Sequence, residues 1–216
     1  MRSTPLPHTD TGPTAPHLRA VVGPVHGIGP NAITRLSEVL DLRMPAAAND
    51  VFASAGLTRY RLEPPTEMVD EREVVSLHLA LRDRFDEAER AALAFEAGLR
   101  TGDYLLAHRI PRPAQWVLKR LPPRLAAQAL LRAIGSHAWT FAGSGSFTWE
   151  IYEHVELTIR HCPLARGIET DRPACDYFAG TFQRLFAKLV DPATTVIETT
   201  CEAMGDTECR FLVRWV

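Results

Sequence analysis

The sequence has no apolar run approaching the roughly 20 residues that a membrane-crossing helix requires, and no hydrophobic stretch of signal-peptide type near Met1. The cytoplasm is therefore the expected compartment, with no membrane span. Nor does either charge dominate. With 24 Lys and Arg against 26 Asp and Glu, the net charge of −2 leaves no electrostatic footprint for nucleic acid. There is no P-loop and no four-cysteine iron–sulfur run of familiar spacing. Cysteine is scarce, and its four positions, Cys162, Cys175, Cys201 and Cys209, form no CxxC pair. In a reducing compartment such cysteines are not expected to pair as disulfides.

What is present is the composition of an ordinary globular chain, 46% hydrophobic and 23% charged over 216 residues. That length suits one large domain or two small ones, and one is expected. Residues 1–17 stand apart. Pro5, Pro7, Pro13 and Pro16 fall among Thr, Ser and Gly, which reads as a disordered arm with nothing to build a core. A single domain is expected over 18–216, helical over 18–146 and sheet-forming over 147–216.

The last third carries the strongest chemistry. Thr194–Cys201 is rich in Thr, Val and Ile and reads as a strand. From Glu208, Cys209, Phe211, Val213 and Trp215 alternate with polar residues in a second strand. Gly205-Asp206 supplies the turn between them, so an antiparallel hairpin brings Cys201 and Cys209 together. Cys175 precedes a helical segment at Asp176–Leu189, where a helix N-terminus favours a thiolate. Glu198 lies three residues before Cys201. Three thiolates and one carboxylate in one unit suit a closed four-coordinate clip, with zinc the best match. Buried free thiols packing as small hydrophobes and a disulfide are the alternatives.

Earlier in the chain, Gly27, Gly29 and Ala32 match the dinucleotide fingerprint GxGxxG/A. Pro30 interrupts the loop, however, and the 44–50 segment does not read as a second strand with a ribose-binding acid. A turn leading into a helix at Asn31–Leu40, with Ile33, Leu36 and Leu40 buried, is the plainer reading. Val51–Leu62 is ambiguous. Further helices are expected at Glu67–Arg84, from Asp86 to about His108, at Gln115–Leu121 and at Arg124–Ile134. Ala88, Ala92, Phe95 and Leu99 recur at helical spacing in the second, where Gly98 and Gly102 suggest a close neighbour. Leu125, Ala129, Leu130 and Ala133 are the apolar positions of the last. Phe147–Arg160 alternates strongly and reads as one long strand or a hairpin broken at Glu153, with His154 on the solvent side. The layout is α+β, a small antiparallel sheet packed against a helical layer.

Five segments resemble the 4-vinyl-reductase family of bacteriochlorophyll biosynthesis: residues 27–33, 109–111, 118–122, 137–145 and 201–209. The resemblance covers about residues 18–216. It implies a fold similar to the ligand-binding fold of aromatic-responsive sensor domains and of Golgi transport-complex subunits. In the sensor relatives three cysteines and a glutamate hold zinc. The matching positions here are Cys175, Glu198, Cys201 and Cys209. Cys162 is left over; it could replace Glu198, although its Cys-Pro setting reads more simply as a strand end.

The family name implies reduction of a vinyl group on a chlorophyll precursor, which requires a hydride or electron source that no motif here supplies. The favoured expectation is an accessory protein that binds a Mg-tetrapyrrole and holds or delivers a Mg-porphyrin or divinyl protochlorophyllide. Vinyl reduction of divinyl (proto)chlorophyllide is the alternative. A third reading is an adaptor contacting the magnesium chelatase large subunit and the Mg-protoporphyrin methyltransferase, with a homodimer expected by the same analogy. A ring of this kind needs aromatic walls, for which Trp116, Trp139, Phe141 and Phe182 are candidates. His137 is the candidate axial ligand, and Arg124, with Lys119 and Arg120, the candidate partner for propionates. Each has a structural alternative: a hydrogen-bonded histidine, core aromatics and a solvated basic face.

Overall fold

Helices form where apolar residues recur every three or four positions, and the main sheet forms where they alternate. The computed structural model describes residues 26–215, so the expected arm at 1–17 and the start of the domain lie outside the described residues. Strand β1 (Gly27–Ile28) pairs antiparallel with β2 (Val69–Asp70). A dinucleotide unit needs parallel strands joined by a crossover helix, so this pairing removes that reading of Gly27–Ala32. Pro30 instead precedes α1 (Asn31–Arg43), which buries Ile33, Leu36 and Leu40 as expected, together with Ala32 and Val39. The next segments are helical: α2 (Pro45–Ser54) and the one-turn α3 (Arg59–Leu62).

Helix α4 (Glu71–Arg84) begins four residues later than the sequence suggests. Asp70 fixes that start by accepting a hydrogen bond from the Arg72 N–H at 2.9 Å. Helix α5 (Glu87–His108) starts where expected, with Asp86 accepting from the Glu89 N–H at 2.9 Å. Its buried face is not the Ala88, Ala92, Phe95 and Leu99 stripe. It is Arg90, Leu93, Ala94, Ala97, Gly98, Thr101 and Gly102. Helices α6 (Arg112–Leu118) and α7 (Pro123–Ser136) each start earlier than expected, because proline fits the first helical turn. In α7 the buried residues are Ala126, Ala127, Leu130 and Leu131, whereas Leu125 faces out.

The sheet has four antiparallel strands in the order β3 (Ser146–Ile151), β4 (Val155–Arg160), β6 (Cys209–Arg214), β5 (Thr195–Thr200). The 147–160 segment is thus a hairpin that turns around Glu153, with Phe147 opposite Ile159, Trp149 opposite Leu157 and Ile151 opposite Val155. These residues share one face, and His154 is exposed at the turn. Helix α8 (Asp176–Leu189) lies on that face. Phe178 and Phe182 reach Phe211 with ring centroids 6.5 and 5.5 Å apart. Each phenylalanine so buried contributes about 1.5–3 kcal/mol.

Helix α5 covers the other side of α8, and glycines set the approach. A Cβ on Gly98 would meet the Tyr177 carbonyl and lie 2.8 Å from the Thr181 nitrogen, while one on Gly180 would meet the Phe95 carbonyl. Away from this contact, Glu71 ties the helical half to the sheet half. Its carboxylate accepts from the Ser144 N–H at 2.7 Å, from the Ser144 hydroxyl at 2.8 Å and from Arg166 at 2.7 Å.

Candidate functional site

Three elements deliver the clip residues. Cys175 is the N-cap of α8, Glu198 lies in β5, Cys201 follows β5 and Cys209 opens β6. Strict alternation along β5 would turn Cys201 away from Glu198. A register shift between Glu198 and Thr200 corrects this, so both side chains face inward. Residues Glu202–Met204 then form a single 3-10 turn, and Gly205 reverses the chain at φ 92°, a left-handed conformation natural to glycine.

The result is a buried group in which one donor atom from each of Cys175, Glu198, Cys201 and Cys209 lies within 4.8 Å of the others. The sulfurs are 3.7 Å apart for Cys175–Cys209, 3.8 Å for Cys201–Cys209 and 4.0 Å for Cys175–Cys201. A tetrahedral zinc with sulfurs at about 2.3 Å has sulfur–sulfur edges of about 3.8 Å. Glu198 accepts from the Cys175 N–H at 2.7 Å through Oε2, while its buried Oε1 has no partner among the described residues. An orphaned buried carboxylate oxygen is costly, and a cation among the sulfurs would satisfy it. Burial, and then the charge of Cys201, push the Glu198 carboxyl up to about 9. The neighbouring sulfurs of Cys162, Cys201 and Cys209, with burial, raise the Cys175 thiol well above its ordinary value. A metal-free cluster therefore holds protons that a divalent ion would displace. The donor set fits zinc.

The surrounding backbone also favours thiolates. The Glu202 N–H points at the Cys209 sulfur at 3.4 Å, and Asp206 accepts from the Cys201 N–H at 2.9 Å. Cys162 is not simply a strand end. It is fully buried with its sulfur 3.5 Å from that of Cys175, and the Glu202 carboxylate holds its N–H at 2.8 Å and that of His161 at 2.6 Å. Five potential donors thus surround four coordination positions.

The six candidate ligand-binding residues are dispersed. Phe141 and Phe182 meet edge-on, with centroids 6.1 Å apart, in one aromatic cluster with Phe147 and Phe178. Phe182 is a core residue, whereas Phe141 is half-buried. Trp116 and Trp139 are 57% and 64% exposed and wall no cavity with them. His137 is exposed at the end of α7, its Nδ1 2.9 Å from the Ala133 carbonyl oxygen. Arg124 lies in the first turn of the same helix, which at 1.5 Å per residue is about 20 Å from His137. The half-buried Phe147 and Trp149 of β3 extend the Phe141 surface, and Trp149 packs against Gly135 in the last turn of α7. The period-two pattern of β3 marked both as inward-facing, but it could not tell core from a partly open wall.

Among the described residues no helix is long and apolar enough to cross a membrane. The vinyl-4-reductase domain family matches residues 155–215. The bacteriochlorophyll synthase 23 kDa chain of Cereibacter sphaeroides is 44% identical over 201 residues, spanning 92% of this chain and 96% of that one. The Rhodobacter capsulatus protein of the same name is 40% identical over 189 residues, 86% of each chain. Among solved structures, an H-NOX protein from S. oneidensis in the Fe(II)NO ligation state matches with a TM-score of 0.50 and 11% identity, over 87% of this chain and 98% of that one. The phenol-responsive sensory domain of the transcription activator PoxR, with phenol, matches at 0.46 and 14% identity, over 68% and 77%. Identity at this level over nearly the whole of both chains makes this protein a member of the family of bacteriochlorophyll synthase 23 kDa chains, with a vinyl-4-reductase domain at its C-terminal end.

Proposed function

We propose that the protein is an accessory factor of bacteriochlorophyll biosynthesis that holds and hands on a Mg-tetrapyrrole, on a frame stapled by structural zinc. The names of its relatives support the pathway. The observation that carries the binding role is the orientation of His137. Its Nδ1 faces the Ala133 carbonyl oxygen at 2.9 Å. A carbonyl can only accept, so that nitrogen carries the proton and Nε2 keeps a free lone pair. The ring is solvent-exposed near the partly open Phe141, Phe147 and Trp149 surface. A magnesium-centred ring needs a neutral axial donor and a flat apolar wall, and these residues offer both.

Zinc would be held by Cys175, Glu198, Cys201 and Cys209. Four protein donors fill a tetrahedron, so the ion would crosslink α8 to the β5–β6 hairpin and leave no open position. The chain's own residues would then bind and orient the pigment.

The test is an absorbance titration of purified protein with Mg-protoporphyrin and with divinyl protochlorophyllide. We expect a shifted Soret band and saturable binding at micromolar concentration. His137→Ala should weaken binding by about tenfold, as loss of one axial bond would. No binding of either pigment, or binding indifferent to both His137→Ala and Phe147→Ala, would refute the proposal. Turnover of the divinyl pigment with NADPH or reduced ferredoxin would replace it with the reductase reading.

A further inference from the structure

Between Asp103 and Glu150 the chain has no acidic residue, yet it carries Arg109, Arg112, Lys119, Arg120, Arg124 and Arg132. Because the whole chain is net −2, this positive charge is a local concentration. It falls on α6, α7 and the links on either side of α6, and all six side chains are exposed. Among the described residues, none of the six takes part in a salt bridge.

Apolar side chains interleave with these cations. Arg112, Trp116 and Arg120 follow one another at four-residue spacing, and the Arg120 guanidinium stacks 3.7 Å from the Trp116 ring centroid. Val117 and Leu125 are 48% and 52% exposed. On α7 the buried Ala126, Ala127, Leu130 and Leu131 anchor the helix, leaving Arg124, Leu125 and Arg132 outward. The desolvated centre of a protein–protein contact is depleted of charge and gathers its apolar side chains together. Here an indole and aliphatic side chains are scattered among unpaired guanidinium groups. That is the composition of a surface lying at lipid headgroups, where indole sits at the boundary and arginine meets phosphate.

We infer that the α6–α7 pair is a docking surface for an anionic phospholipid bilayer. Trp116, Val117 and Leu125 enter the headgroup layer, and the six basic residues face lipid phosphates. The binding is peripheral and electrostatic in large part, so it weakens as salt rises. It is independent of the pigment and of the zinc clip.

The test is co-sedimentation of the full-length protein with vesicles of phosphatidylcholine, alone or mixed with phosphatidylglycerol. Sedimentation with the mixed vesicles at low salt is expected, with a blue-shifted tryptophan emission that Trp116→Ala diminishes. The double variant Arg112→Glu with Arg120→Glu should cut binding by about tenfold or more. All these positions are exposed, so circular dichroism and thermal melts of the variants should match the parent. Sedimentation equal on both vesicles, on neither, or unchanged in the charge-reversal variant would overturn the inference. Binding to polyglutamate without binding to vesicles would assign the face to an acidic protein instead, and overturn it too.

Discussion

His78 shows how much one side chain can hold in reserve. It is buried in α4, its ring edge-on to Tyr177 with centroids 5.9 Å apart, and its Nε2 has no partner among the described residues. Burial first, then the charges of Arg82 and Arg90, lower its pKa from 6.5 to about 4. The unfolded chain therefore takes up this proton before the folded one does. The contribution of neutral His78 is complete above pH 6.5 and is lost as pH falls toward 4. Between pH 7 and pH 5 the loss should be about 2 kcal/mol in urea titrations. His78→Gln, which cannot be protonated, should flatten that slope at equal metal content; an unchanged slope would place the acid sensitivity elsewhere. At this scale the sequence spoke unevenly. Cysteine spacing picked out Cys175, Cys201 and Cys209, and Glu198 could be added because a carboxylate stands where an inward strand position calls for an apolar residue. The position of Cys162 against Cys175 could not be read. It depends on the Glu202 carboxylate gripping two backbone N–H groups from 40 residues away.

Between elements, the α5–α8 crossing depends on glycine more than on apolar pattern. Gly98 and Gly180 each receive the backbone of the opposite helix, so a methyl group on either has nowhere to go. Gly180→Ala should cost about 1–3 kcal/mol by overpacking, measurable as a lower urea midpoint, although alanine is the better helix former. A stabilised variant would mean the helices can slide apart at no cost. The same crossing explains a one-position misreading in α5. Alanines recur all round that helix, so hydrophobicity alone does not choose a face, and the neighbour chooses the one with Gly98 and Gly102. In α7 an outward Leu125 misleads in the same way. The boundaries of α8 were legible to the residue, because Pro173 and the apolar stripe around Phe178, Phe182 and Phe186 leave no competing register.

For the molecule as a whole, the proposed zinc is the crosslink whose loss should be felt everywhere. Elemental analysis should find about one zinc per chain. Cys201→Ser or Cys209→Ser should lose it and lower the thermal midpoint by about 10 °C or more, since binding free energy of a structural ion is folding free energy. Metal-free wild-type protein of undiminished stability would end that account. The general α+β layout was visible from where period 3.6 gives way to period two near Phe147. The strand order β3-β4-β6-β5 was not, because pairing partners distant in sequence leave no local trace.

The family match opens at Val155, the first residue of β4, and so divides the β3–β4 hairpin from its turn. A fragment cut there would strip β3 from the sheet and α5 from the glycine-lined back of α8 in one stroke. Left with a bare strand edge and an uncovered helix, it should gather into aggregates rather than fold. The first 154 residues thus act as a built-in chaperone for the part of the chain by which the family is recognised.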